Sequence, residues 1–209
     1  MFAGTSIAVV YSPLGRRSGG HLNPSVTAGF TFLGKLHWWG AAIYVASQIA
    51  GAVLGAALVL AIWGNWARTV HDGATIPGHL GAVGAFAAEL TCTFALVTAI
   101  LHCVDRPRLS RFTPIVAGLL VATVVVIESP LSNTSLNPAR SLGPAIFGGV
   151  FNSLWVYLVA PPIGGLLAAY AFRRGRGAVP CAKLVHPEGA PCTFAHCAYQ
   201  ATSEDRITL

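Results

Sequence analysis

The sequence predicts an all-α membrane bundle arranged as an inverted repeat with two short re-entrant helices. Three observations predict it: a composition poor in charge, four apolar segments long enough to cross a bilayer, and two Asn-Pro motifs at matched positions of a repeat. Of the 209 residues, 54% are hydrophobic and 10% charged. Soluble domains carry about a quarter charged residues, so this chain cannot cover itself with a water-soluble surface. The mean hydropathy is +0.64.

The first ten residues, Met1 to Val10, are apolar but too short to cross, and they lack the basic leader and small-residue cleavage site of a secretory signal. They read as the end of a membrane helix. Crossing takes about 20 apolar residues, and the segments at about 38–63, 83–104, 113–130 and 152–172 meet that length or nearly so. Two further stretches, about 24–34 and 138–150, are too short and each opens at an Asn-Pro. Asparagine caps a helix and proline fits its first turn, so both stretches read as half-helices.

The connections divide by charge. Arg16, Arg17 and Lys35, then Arg106, Arg108 and Arg111, then Arg173, Arg174, Arg176 and Lys183 fall in alternate connections or in the tail, whereas the loop at about 64–82 has only Arg68. The positive-inside rule places the basic group and the C-terminus in the cytoplasm of a multi-pass protein. The net charge of +6 forms no stripe interleaved with aromatics, so nucleic acid is not expected as a partner. Five cysteines, an odd number, argue against a disulfide framework.

Sliding the chain by 114 residues lays Asn23-Pro24 on Asn137-Pro138, Gly29 on Gly143, Gly34 on Gly148, Val45-Ala46 on Val159-Ala160, Ile49 on Ile163 and Gly51 on Gly165, without a gap. An odd number of crossings between equivalent points makes the halves inverted, and inverted repeats meeting at half-helices place a site near the midplane. The two N-termini then converge with unpaired N–H groups and positive dipole ends, which favours an oxygen acceptor and disfavours a cation.

Single residues refine this picture. Arg140 follows the second motif in an apolar context and is read as facing a polar cavity, where it donates to solute oxygens and repels cations. Glu89 is the lone acid of its span and is read as an acceptor for loop N–H groups near the second half-helix, a scaffold rather than a solute ligand. Gly51, Gly55, Gly164 and Gly165 suit close helix crossing. The tail residues Cys181, Cys192, His196 and Cys197 match no trusted metal pattern, so a solvated tail, no cofactor and no metal site are expected. The histidines and cysteines form no catalytic triad or closed metal set, so no enzyme is expected.

Ser18-Gly19-Gly20-His21-Leu22-Asn23-Pro24-Ser25-Val26-Thr27 and Ser135-Leu136-Asn137-Pro138-Ala139-Arg140-Ser141-Leu142-Gly143-Pro144-Ala145 resemble the two boxes of the major intrinsic proteins, the aquaporins and aquaglyceroporins. The resemblance covers about residues 3–174. It implies six tilted helices, two half-helices, and a homotetramer in the plasma membrane with one pore per subunit. It implies a passive channel for water and small uncharged solutes that excludes protons and ions. The pore motifs are then Asn23, Pro24, Ser25 and Asn137, Pro138, Ala139, with Glu89 and His21 as scaffold, a channel domain at 1–176 and a cytoplasmic tail at 177–209. A four-position filter falls on Ala3, Val125, Thr134 and Arg140.

Strict water channels of the family usually have phenylalanine and histidine at the first two filter positions, so Ala3 and Val125 imply a wider constriction. The set is similar to that of plant nodulin-like channels for boric acid, silicic acid, arsenous acid or urea. The family's first membrane helix has no counterpart here and the second is clipped, so the intact protein is expected to begin upstream. The alternatives are an ion-coupled transporter, for which Glu89 is the one acid near the midplane, and a non-transporting fragment.

Overall fold

The computed structural model describes residues 2–175, 177–186, 192, 194 and 197–199. The regular elements among the described residues are helices, with no strand among them. In order they form α1 (Phe2–Tyr11), α2 (Pro13–Ser18), α3 (Pro24–Phe32), α4 (Trp38–Trp63), α5 (Asn65–Arg68), α6 (Gly81–Asp105), α7 (Pro107–Ser110), α8 (Thr113–Ser132), α9 (Pro138–Gly148) and α10 (Leu154–Arg174). Helices α4, α6, α8 and α10 are long and apolar enough to cross a membrane. Helix α4 spans about 39 Å at 1.5 Å per residue, with Trp38 and Trp39 at one end and Trp63 at the other, followed by Trp66 on α5, all exposed. Paired aromatic ends of this kind mark the two interfaces of a bilayer.

Helix α1 does not run on into α2. Ser12 is extended (ψ 159°) ahead of Pro13 and caps α2 by accepting from the Gly15 N–H. The two half-helices α3 and α9 stop after two or three turns, and α9 ends on left-handed Gly149 (φ 65°). Each packs on a long helix of the other half, α3 on α10 and α9 on α4. The contact is glycine-dependent in both: a Cβ on Gly165 would lie 2.6 Å from the Ser25 carbonyl oxygen, and one on Gly143 would lie 2.6 Å from that of Ala52.

The symmetry stops there. Helix α10 also packs along α6 and buries nine of its residues, Tyr157, Gly164, Gly165 and Phe172 among them, whereas α4 buries none. No helix among the described residues stands to α4 as α6 stands to α10. Gly51 and Gly55 therefore meet nothing within 4 Å. Close crossing is realised at Gly164 and Gly165 and not at their α4 counterparts.

The core sits where α3, α6 and α10 meet, around Phe30, Val97, Leu101, Ala169 and Phe172. It continues into the C-terminal segment, which corrects the expectation of a solvated tail. Val179, Cys181, Ala182, Lys183, Leu184, Cys192, Phe194 and Cys197 are all buried. The physical reason is apolar: Phe194 stacks against the rings of His21 and Tyr44, and the Leu184 N–H donates to the Gly19 carbonyl at 3.0 Å. The basic connections gather at this same end, where the Tyr11 hydroxyl donates to the Arg111 carbonyl and the Ala178 N–H to Asp105. Arg176 and His196 lie outside the described residues.

Candidate functional site

The two Asn-Pro motifs are joined to each other. Asn23 Nδ2 donates to the Leu136 carbonyl at 2.7 Å, and Asn137 Nδ2 donates to the Leu22 carbonyl at 2.9 Å. Each asparagine thus holds the residue just before the other motif. With its oxygen each also caps its own half-helix: Asn23 Oδ1 accepts from the Ser25 N–H at 2.8 Å, and Asn137 Oδ1 from Ala139 at 3.0 Å and Arg140 at 3.3 Å. The extended backbone at both caps and the prolines after them produce the same turn twice. One amide hydrogen on each side chain has no acceptor among the described residues, and the two asparagines are the N-caps of α3 and α9, at the positive ends of those helices.

The loop into the second motif is strained and anchored. Asn133 (φ 61°), Thr134 (φ 46°) and Leu136 (φ 58°) are left-handed although none is glycine, and such residues persist where surroundings over-determine them. The main anchor is Glu89 on α6. Its Oε1 accepts from the Ser135 N–H at 2.6 Å and the Ser132 hydroxyl at 2.7 Å, and its Oε2 from the Leu136 N–H at 2.6 Å. The Tyr157 hydroxyl fixes the Ser132 carbonyl at 2.7 Å, and Ser135, Ser141 and Thr75 form a hydroxyl chain behind the turn.

A second acid reaches this turn, Glu128, which the sequence sets aside as lying at the end of its span. Ser132 Oγ also contacts Glu128 Oε1, so two buried carboxyl groups share one hydroxyl. A serine hydroxyl carries a single hydrogen. That hydrogen can be given to only one of the two carboxyl groups at a time. Glu128 lies one helical turn before Ser132, and α8 continues two residues beyond the apolar segment at 113–130, which brings the two side chains together.

The first motif is held differently. His21 is buried, with Nε2 2.8 Å from the Ala182 carbonyl and Nδ1 3.3 Å from the Thr27 hydroxyl. Gln48 Nε2 donates to the His21 carbonyl at 2.8 Å and to Thr27 Oγ1 at 3.0 Å. Ser25 and Pro24 are buried at the start of α3.

On the other side of the motifs, Arg140 Nη1 donates to the Gly73 carbonyl at 2.7 Å. A guanidinium has five N–H hydrogens, and the other four have no acceptor among the described residues. The loop at 64–80, which sequence gave no reason to place, folds over this end: Asn133 Nδ2 reaches the Ala74 carbonyl, and the Gly78 N–H the Leu131 carbonyl. Thr134 is buried close to this junction, Val125 is 41% exposed on α8, and Ala3 lies half-buried on α1, which packs along α8.

The profile of the family described as Major intrinsic protein matches residues 1–172. The chain belongs to the major intrinsic protein family. Among curated members, this major intrinsic protein is 37% identical over 173 residues to "Probable aquaporin NIP7-1" of Arabidopsis thaliana, covering 82% of this chain and 62% of that one. It is 38% identical over 173 residues to "Aquaporin TIP4-4" of Zea mays, covering 79% and 66%, and 33% identical over 180 residues to "Aquaporin Z" of Rhodopseudomonas palustris, covering 81% and 75%. It therefore spans about three fifths to two thirds of the length of the plant relatives. The X-ray structure of the aquaglyceroporin from Plasmodium falciparum shares the fold, with a TM-score of 0.66 over 82% of this chain and 89% of that one at 21% identity. Membership and the four apolar helices make this a multi-pass membrane protein.

Proposed function

We propose that this major intrinsic protein is a passive channel that carries water and small uncharged solutes, and has no catalytic activity. The reciprocal Asn23–Leu136 and Asn137–Leu22 hydrogen bonds carry the reading. They fix two side-chain amides, each with a hydrogen to spare, at converging positive helix ends. A passing hydroxyl or water oxygen can accept from both, which turns its own hydrogens away and interrupts a proton relay along the file. Cations meet the same positive ends and the guanidinium of Arg140.

Ala3, Val125, Thr134 and Arg140 form the selectivity filter in this reading, with Glu89 and His21 as its supports. Small side chains at the first two positions leave room for glycerol, urea or a metalloid acid such as arsenous acid. Residues 1–176 act as the channel in a homotetramer of the plasma membrane, and residues 177–209 face the cytoplasm. Stopped-flow light scattering on proteoliposomes, with water, glycerol, urea and arsenous acid in parallel, tests the proposal. Solute entry above the protein-free background without any ion gradient supports it. Flux that demands a proton or sodium gradient would instead assign the Glu89–Glu128 pair to coupled transport, and no flux would leave a non-transporting fragment.

A further inference from the structure

The C-terminal segment brings together donors that its sequence spacing does not advertise. Cys181, His186, Cys192 and Cys197 place one ligand atom each within 4.8 Å of all the others, and the three cysteines are buried. None of the three cysteines is in a disulfide. Cys181 and Cys192 stand 3.4 Å apart at sulfur, and Cys197 Sγ lies 3.5 Å from His186 Nε2. A disulfide needs about 2.05 Å, and would leave the third thiol and the imidazole without a purpose. A tetrahedral zinc ion, with Zn–S of about 2.3 Å and Zn–N of about 2.0–2.1 Å, requires S···S edges of about 3.8 Å and S···N edges of about 3.6 Å. The Cys181–Cys192 and Cys197–His186 separations lie within a few tenths of an ångström of those edges, and the remaining pairs, all within 4.8 Å, need only a small closing movement to reach them.

We infer that these four residues form a Cys3His site for a structural zinc ion, which fastens the tail to the end of the bundle nearest the first Asn-Pro motif. Three features beyond the donor set support this. The Lys183 N–H points at Cys181 Sγ at 3.5 Å, the kind of outer contact that steadies a metal-bound thiolate. The buried Lys183 brings a positive charge into a segment where three thiolates and a divalent ion leave a net negative one. Residues 177–186 contain no helix or strand, yet Val179, Cys181, Ala182 and Leu184 are 5% exposed or less. A short irregular segment rarely holds such burial without a cross-link.

The clamp acts on the link that leads into the first motif. Leu184 donates to Gly19, Ala182 accepts from His21, and Phe194 covers the rings of His21 and Tyr44. Gly19 is left-handed (φ 87°), and a Cβ there would meet the Phe194 ring at 2.8 Å. Holding the four donors therefore holds residues 19–22, whose Leu22 carbonyl receives the Asn137 amide.

The test uses the full chain in detergent under reducing conditions, stripped with a chelator and titrated with Co2+ and then Zn2+. The proposal expects one equivalent of Co2+ per chain with tetrahedral ligand-field and thiolate-to-cobalt charge-transfer bands, displaced by Zn2+. Cys197→Ser and His186→Ala should each weaken binding by at least about tenfold. Hydrogen exchange at residues 19–22 should slow when Zn2+ is added to the parent and not to Cys192→Ser. Absent charge-transfer bands, an unchanged spectrum in Cys197→Ser, or capture of arsenous acid without any uptake of Co2+ or Zn2+ would each overturn it. None of these readouts depends on transport.

Discussion

Replacing Glu89 with glutamine keeps the size of the side chain and removes one acceptor oxygen. The carboxylate now serves three donors, the N–H groups of Ser135 and Leu136 and the Ser132 hydroxyl, in a fully buried setting. Glutamine can satisfy the Leu136 N–H or the Ser135 N–H, but its NH2 group then faces the other. One buried backbone donor is orphaned in either orientation, at about 1–3 kcal/mol. The loop it holds is already strained at Asn133, Thr134 and Leu136, so the loss is expressed as local opening rather than absorbed. At a factor of ten per 1.4 kcal/mol, the opening equilibrium of residues 133–137 rises by roughly 5- to 150-fold. Hydrogen exchange in nanodiscs followed by mass spectrometry reads this directly, with residues 95–101 of α6 as an internal control. Exchange at 133–137 within twofold of the parent would refute the assignment of Glu89 as the anchor of this turn.

Three other substitutions test separate parts of the account. Arg140→Val removes the guanidinium and its bond to Gly73, and should let protons or cations leak into proteoliposomes loaded with a pH-sensitive dye; an unchanged leak would separate Arg140 from ion exclusion. Val125→His adds a bulky polar ring at the second filter position and should cut glycerol and urea flux more than water flux, and equal permeabilities before and after would show that Val125 does not line the filter. Gly165→Ala forces a Cβ to 2.6 Å from the Ser25 carbonyl and should destabilise the bundle by about 1–3 kcal/mol in a detergent unfolding titration. Gly51→Ala, at the matching place on α4 where nothing lies within 4 Å, should leave stability nearly unchanged.

The legible parts of this molecule are those set by local periodicity and by the bilayer. The four spans fall within two residues of the segments expected from apolar length, and Asn23-Pro24 and Asn137-Pro138 begin half-helices because capping and proline geometry act within a single turn. What could not be read depends on partners far along the chain. Gly51 and Gly165 are equivalent by repeat, yet whether either is packed depends on which helices surround it. Glu128 joins Glu89 only because α8 runs past Pro130 to Ser132. The loop at 64–80 holds only short helical turns, and distant partners anchor it: Arg140 at Gly73, Asn133 at Ala74, Ser141 at Thr75 and Leu131 at Gly78. In the tail, the spacing between Cys181, His186, Cys192 and Cys197 follows no known metal pattern, since a docked irregular segment brings donors together through its fold rather than its register.

In the proposed channel, two asparagine amides tied to each other's motif admit neutral oxygen-bearing molecules and turn charge away. Water and proton fluxes measured in the same proteoliposomes test it most directly. Water permeability should rise well above that of protein-free vesicles while proton permeability stays at the lipid baseline. Both rising together, or neither rising, would contradict the account.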